Sequence, residues 1–346
     1  MTSSNVRIGI VSPDAPPFLG GMGRHVGSLV EGFKKEGMTV LVYDRSRRRV
    51  AFALAKSIGF SCGLRFRLQR FVRKNGITIL HLHAGPGGVL MPFLPHSVTT
   101  VITANHTYAA QAKLPGQAWK KIFAAIEMRM YERAHRVIAI SEDTAASLQN
   151  DYGIPASKIT VIPCGFDLAP WMNADNASRN TNSCVFVGRP DTRKGWDILE
   201  AAWPIVQRNF PSATLSVVGW NDSPRDGMNF LGRLSDTELQ ALIGSARLVV
   251  CPSRLEGFGL AAAESIAAGT PVVASNVSGL RAIVDDEKTG LLVSPDPESV
   301  AAGIIRMLQD DALWRTLHVG CQECRQRFDR DTEITAHTKL FGALHS

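Results

Sequence analysis

Long apolar runs are missing from this chain of 346 residues. No stretch reaches the roughly 18 uninterrupted apolar residues that a membrane-spanning helix needs. The nearest, GVLMPFLPHSVTTVITA, is broken by Pro92 and Pro95. The N-terminal MTSSNVRIGIVS has no basic region leading into a long apolar stretch, so no signal peptide is expected. Cysteine is sparse, with six scattered residues. Cys164, Cys184 and Cys251 lie in apolar runs and read as buried, reduced thiols. Cys321 and Cys324 form one C-x-x-C with no second cysteine or histidine pair nearby, so metal binding is not expected there. No recognised module or stacking motif accompanies the basic residues, which argues against nucleic acid as a partner. These absences point to the cytoplasm as the compartment.

What remains is a chain with 45% hydrophobic and 20% charged residues, enough to bury the cores of about two soluble domains. Its net charge of +7 is unevenly spread. Residues 1–165 carry 21 Lys+Arg against 9 Asp+Glu, whereas residues 166–346 carry 17 against 22. The first half is therefore expected to face something negative, such as an anionic membrane surface, a lipid carrier or an acidic glycan.

Short β-rich runs alternate with helix-like segments. The strand candidates are VRIGIVS, MTVLVYD, ITILHLHA, TTVITAN, RVIAIS and KITVIP, then CVFVGR, ATLSVVG, NFLGRL, RLVVCPS, TPVVAS and GLLVS. Continuous rather than alternating apolarity suits parallel strands buried on both faces. Ser141 caps a helix predicted over 141–152 that stops at Gly153, and Ser235 with Glu238 forms a capping-box pattern. Alternating β and α predicts two doubly wound domains. The polar stretch 164–182 marks the boundary, giving domains of 1–165 and 166–329.

The most informative motif is PSRLEGFGLAAAESIAAGTPVVA, residues 252 to 274. Glu256 follows an apolar strand, Gly257-Phe258-Gly259 make a tight turn, and Glu264 sits about two turns into an alanine-rich helix. Carboxylates accept from sugar-like hydroxyls, and a helix start supplies free N–H donors for phosphate. The bland alternative is a solvated Glu256 and a surface Glu264, but the apolar context of Glu264 favours burial with partners. Gly188-Arg189 ends another strand, with Lys194-Gly195 at the next helix start. Two cations there would offset the charge of a departing diphosphate, against the alternative of an exposed basic loop. Gly20-Gly21-Met22-Gly23 opens a helix after the first strand, as phosphate loops do, without the dinucleotide fingerprint. His81, His83 and His106 end strands of the first domain; no carboxylate or cysteine in those loops completes a metal site. His106 is the candidate for contact with a transferred group. Residues 45–74, including Arg45, Arg47, Arg48, Arg49, Lys56, Arg67 and Arg70, are basic with interleaved apolar residues. They suit an anionic membrane surface or, more plainly, an amphipathic helix with its arginines in water.

Taken together, GGMGRHV, ISEDTAASL, KITVIPCGFD, VGRPDTRKG, EGFGLAAAE, TPVVAS and TGLLVSPD resemble the retaining glycosyltransferases of family 4, with the GT-B fold and an E-x7-E motif. Cys164 departs from the asparagine usual in VIPNG. The resemblance implies two Rossmann-like domains facing a central cleft, with 330–346 returning to the first. It implies that Arg189 and Lys194 hold the diphosphate of a nucleotide sugar, aided by the amides of Gly21 and Gly259-Leu260. Glu264 would take the ribose hydroxyls, Glu256 with the Gly257-Phe258 amides the donor sugar, and Gly232-Arg233-Leu234 the base. His106 would lie beside the sugar. No D-x-D pair at a strand end calls for Mg²⁺, so no metal or other cofactor is expected. The expected activity is retaining transfer from a UDP- or GDP-sugar to a glycan, lipid-linked or other hydroxyl acceptor, at the inner face of the cytoplasmic membrane. Two readings share these residues: an epimerase of nucleotide sugars, and a silent nucleotide-sugar-binding scaffold.

Overall fold

The computed structural model describes residues 6–16, 20–44, 61, 64–91, 93–175 and 178–345. The chain forms two compact units, Met1–Phe166 with Arg330–Ser346, and Asp167–Asp329.

The first unit is built on six parallel strands: β1 (Arg7–Val11), β2 (Thr39–Tyr43), β3 (Ile79–Ala84), β4 (Thr99–Ala104), β5 (Arg136–Ala139) and β6 (Ile159–Val161). Their order is β2-β1-β3-β4-β5-β6, so the chain reverses direction across the sheet between β1 and β3. All six residues of β3 are buried, as a central strand covered on both faces requires. Helices α1 (Gly21–Lys35), α2 (Leu64–Asn75), α3 (Tyr108–Ala112), α4 (Lys121–Arg133) and α5 (Glu142–Tyr152) belong to this unit. Ser141 caps α5 by accepting the Thr144 N–H, and Gly153 ends it in the left-handed conformation.

The second unit has β7 (Asn180–Val187), β8 (Thr214–Val218), β9 (Met228–Gly232), β10 (Ala246–Cys251), β11 (Val272–Ser275) and β12 (Gly290–Val293), again all parallel. The order β12-β11-β10-β7-β8-β9 places the reversal between β7 and β10. Its helices are α6 (Ala169–Ala174), α7 (Trp196–Asn209), α8 (Asp236–Ser245), α9 (Leu260–Ala267), α10 (Pro297–Gln309) and α11 (Asp311–Cys324). Ser235 and Glu238 form the capping box of α8. Phe186, Leu199, Trp203, Leu215, Leu248, Val250, Ile304 and Met307 fill the core between sheet and helices. Cys164, Cys184 and Cys251 are buried thiols, and Cys321 and Cys324 are unpaired.

The chain then returns to the first unit as α12 (Arg330–His345), which packs on α1. Phe341 meets Phe33 at 5.7 Å, and Ile334 fills the space left by Gly32. Among the described residues, no helix is long and apolar enough to cross a membrane.

Three glycines stand at the C-terminal ends of adjacent strands. The Gly188 N–H donates to the Val218 carbonyl, and the Gly219 N–H donates to the Gly232 carbonyl. Gly219 has φ +129°, and a Cβ there would lie 2.0 Å from the Gly188 carbonyl oxygen. Strained backbone and a backbone clash act together at this point. Gly219→Ala is expected to lower unfolding free energy by more than about 2 kcal/mol in urea titration; an unchanged midpoint would refute this account of the strand ends.

Candidate functional site

Loops leaving β7 and β10 meet where the strand order of the second unit reverses, the position at which open α/β sheets take ligands. Gly195, in the left-handed region at φ +67°, lets the first loop press against the second: a Cβ on it would lie 1.9 Å from the Pro252 carbonyl oxygen. The Arg254 N–H donates to the Arg193 carbonyl at 2.8 Å, and the Arg254 guanidinium holds both carboxylate oxygens of Asp197.

This seam brings two cations onto one buried carboxylate. Lys194 Nζ donates to Glu256 Oε1 at 2.6 Å, Ser253 Oγ donates to the same oxygen at 2.9 Å, and Arg193 donates to Oε2 at 2.9 Å. Burial opposes the charge on Glu256, but the attraction of Lys194 and Arg193 outweighs it and holds the carboxyl down at about 2. The cluster thus keeps one positive charge in excess. Of roughly four lone-pair sites on the carboxylate, three are taken, leaving Oε2 one more to offer.

After Glu256 the chain turns through Gly257, Phe258 and Gly259, all buried, and enters α9. Gly259 takes φ +97° as the cap. Among the described residues no acceptor faces the N–H groups of Gly257, Phe258, Gly259 and Leu260. Glu264 is buried on α9 at 4% exposure. Gly279 abuts the Glu256 carbonyl, where a Cβ would come within 2.5 Å, so the turn is clamped from this side too.

The other residues singled out in the sequence are placed differently. Arg189 is exposed and its guanidinium has no partner among the described residues, while Arg193 joins Lys194 on Glu256. Sequence reasoning missed Arg193, although it sits beside Lys194 in RPDTRKG. Gly188 and Gly232 mark the ends of β7 and β9, Arg233 is exposed and Leu234 half-buried. In the first unit, Gly21 and Gly23 open α1, but Gly23 donates to Asp14 Oδ2 at 3.2 Å and Gly20 to Oδ1 at 3.2 Å. A carboxylate of the chain itself therefore holds the Gly23 amide offered in the sequence reading to phosphate.

His81 and His83 lie within β3, and both are fully buried. His81 Nε2 meets Thr103 Oγ1 at 2.7 Å. Burial, reinforced by neighbouring imidazoles, pushes both well below the ordinary histidine range, so they stay neutral. His106 follows β4, its carbonyl packed against Gly85. A cluster with no signature in the residue order joins His25, Cys164 and Glu333, whose ligand atoms lie within 4.8 Å of one another. These donors satisfy each other: His25 Nε2 meets Glu333 Oε1 at 2.6 Å, and Glu333 Oε2 accepts the Gly165 N–H at 2.8 Å. Burial disfavours charge on His25, yet Cys164 and Glu333 raise it well above its usual range. Its Nδ1 lacks the outer partner that a metal-bound imidazole normally has, so the trio fits an ion pair better than a metal centre. Of the basic segment 45–74, Arg45, Arg47, Arg48, Arg49 and Lys56 lie outside the described residues. Helix α2 buries Leu64, Leu68, Phe71 and Val72 and turns Arg67, Arg70, Arg73 and Lys74 outward.

The depressed Glu256 carboxyl has a consequence for stability. Its folded value lies below the ordinary 4.5, so its stabilisation is complete above that pH and is lost as pH falls towards 2. Between those limits wild type should lose about 3 kcal/mol more than Glu256→Gln in urea unfolding; parallel pH curves would contradict the ion cluster.

Comparison with known proteins agrees with this architecture. Residues 19–170 match the family model described as Glycosyltransferase Family 4, and residues 181–310 match that described as Glycosyl transferases group 1. The glycogen synthase of Mycobacterium tuberculosis is 28% identical over 98% of this chain and 95% of its own length. A phosphatidyl-myo-inositol mannosyltransferase of Mycolicibacterium smegmatis is 28% identical over 94% of this chain and 90% of its own. The solved sucrose-phosphate synthase of Thermosynechococcus elongatus superposes with a TM-score of 0.82 at 24% identity, covering 98% of this chain and 99% of the other. The chain belongs to glycosyltransferase family 4 and has the GT-B fold, with one Rossmann-like parallel sheet in each unit.

Proposed function

We propose that this glycosyltransferase moves a sugar from a UDP- or GDP-sugar to a hydroxyl acceptor with retention of configuration. The observation that carries the reading is the buried Glu256 gripping Lys194 and Arg193 beside a turn of unused N–H groups. A diphosphate carries two features that such a site answers: charge, met by the excess cation, and oxygens, met by amides. Arg189, exposed and unpartnered among the described residues, adds a second cation on binding. As the bond to the anomeric carbon loosens, negative charge grows on the leaving phosphate. Lys194, Arg189 and the Gly259-Leu260 amides stabilise that charge more than the ground state, which lowers the barrier. The remaining Glu256 lone pair accepts from a sugar hydroxyl and Glu264 from the ribose. Gly232-Arg233-Leu234 meets the base and His106 the transferred sugar. The acceptor hydroxyl attacks from the face the diphosphate leaves, and that phosphate takes its proton. Side-chain cations serve in place of a metal.

The relatives differ in acceptor, one named for glycogen and one for phosphatidyl-myo-inositol. We assign the acceptor to glycan or lipid-linked hydroxyls of surface polysaccharide, lipopolysaccharide or glycolipid assembly. An anionic membrane surface suits the first unit. Arg67 and Arg70 are exposed on α2, and Trp119 and Ile122 are 45% and 72% exposed beside Lys120 and Lys121.

Two experiments test these readings. With UDP-glucose and GDP-mannose, Lys194→Ala should cut nucleoside diphosphate release at least 100-fold, within the range seen for lost oxyanion donors, and Arg193→Ala should fall at least tenfold. Full activity in Lys194→Ala and Glu256→Ala together would sink the assignment, and a changed sugar in donor alone would indicate epimerisation. In the second, sedimentation should show salt-sensitive binding to anionic but not neutral vesicles, weakened by Arg67→Gln with Arg70→Gln. Binding that ignores both salt and these charges would remove the membrane reading.

A further inference from the structure

Glu127 is fully buried on α4, and no step described above uses it. A carboxylate without exposure needs donors, and its donors come from the segment that follows β4. Glu127 Oε2 accepts the Tyr108 N–H at 2.7 Å and the Tyr152 hydroxyl, while Oε1 accepts the Tyr131 hydroxyl at 3.2 Å. Tyr152 in turn accepts the Ala109 N–H at 3.0 Å on the same oxygen that donates to Glu127. Two consecutive amides, of Tyr108 and Ala109, are thereby fixed from beneath by one acid and the phenol it holds.

The neighbouring residue is tied down by a separate chain of bonds. Thr107 Oγ1 caps α3 through the Ala110 N–H at 2.9 Å and meets Ser147 Oγ at 2.8 Å. Ser147 reaches Asp151, which pairs with Lys113 at 2.9 Å. On the other side, Asn105 Nδ2 donates to the Ala84 carbonyl at 3.0 Å. His106 therefore stands in a segment whose flanks, 105 and 107–109, are all held, and the Tyr108–Ala109 hold passes through a buried carboxyl.

We propose that Glu127 is a positioning residue, which sets where His106 stands by gripping the amides that follow it. The inference rests on the reading of His106 as the residue that meets the transferred sugar. Burial pushes the Glu127 carboxyl up to about 7, against the pull of Tyr152, the Tyr108 N–H and Tyr131. Tyr108 is raised to about 12 by burial, and burial raises Tyr131 and Tyr152 in the same direction, so the two phenols that donate to Glu127, Tyr131 and Tyr152, keep their protons. These tyrosines, from α3, α4 and α5, are the titratable groups that face Glu127. When the acid takes a proton, Oε1 becomes the donor and the Tyr131 hydroxyl turns to accept it, while both grips on Oε2 persist but weaken as the charge goes.

Hydrogen exchange of the full-length protein tests the grip without any substrate. Glu127→Gln should speed exchange at least tenfold in amides 107–110 and leave the two sheets unchanged; if that variant does not fold, Tyr152→Phe serves, with a smaller effect at Ala109. Unchanged exchange in 107–110, or acceleration spread over the whole unit, overturns the proposal. A double-mutant cycle on nucleoside diphosphate release from UDP-glucose and GDP-mannose then tests the route of action. Glu127→Gln should lower kcat about tenfold with donor KM nearly constant, and should cost nothing more once His106→Ala is present. Additive losses overturn the positioning role. A silent His106→Ala overturns the role given to His106, whereas the local exchange result stands or falls independently.

Discussion

A carboxylate removed from water needs donors or opposite charge at contact distance, and at Glu256 two cations supply both. Its two cations, Arg193 and Lys194, are consecutive in the chain and belong to a different loop. Their pairing is possible because both loops leave the C-terminal edge of the sheet at the point where its order reverses. The site geometry depends on this contact: it orients Lys194, pins the turn that exposes the 257–260 amides, and leaves a single surplus positive charge. A neutral residue at 256 would leave two neighbouring cations to repel each other across the loop.

The first unit handles buried polarity in another way. His81 and His83 stay neutral inside the sheet, whereas on His25 the pull of Cys164 and of Glu333, 2.6 Å away, outweighs burial and favours the charged form. That pair also fastens Gly165 and so ties α12 to α1 and to the segment that ends this unit. Glu127 is a third solution, a buried acid satisfied by phenols and amides instead of cations, which leaves it near neutrality in its ionisation balance. The three buried acids have different partners: two cations for Glu256, an imidazole for Glu333, and neutral donors for Glu127.

Much of the fold was readable from residue order. Every apolar run named as a strand is one, from Arg7–Val11 to Gly290–Val293, and those at the sheet centres, such as β3, β10 and β11, are buried at every residue and so must be apolar almost without interruption. The helix starts at Ser141 and Ser235 were equally plain, since capping chemistry is local. The site was readable in part. Glu256 and Glu264 stood out by the apolar runs around them and Lys194 by its place at a helix start, but Arg193 was missed because spacing along a loop does not say which way a side chain turns. The histidines of β3 already stood in a run named as a strand, with no carboxylate or cysteine nearby in sequence to complete a metal site. Gly23 looked open to phosphate because Asp14, nine residues earlier, gives no sign that its carboxylate folds back onto the helix start.

Residue order alone sets the elements and the inventory: parallel strands, capped helices, a surplus of cations in the first half, and carboxylates set among apolar residues. Those properties follow from contacts within a few residues and from the hydrophobic cost of exposure. Tertiary structure alone decided the pairings. Lys194 meets Glu256 across 62 positions of chain, Glu333 meets His25 across 308, and Tyr152 meets Glu127 across 25. Partners at such separations are chosen by strand order and by the requirement that each buried charge or dipole find a complement, which no local window contains.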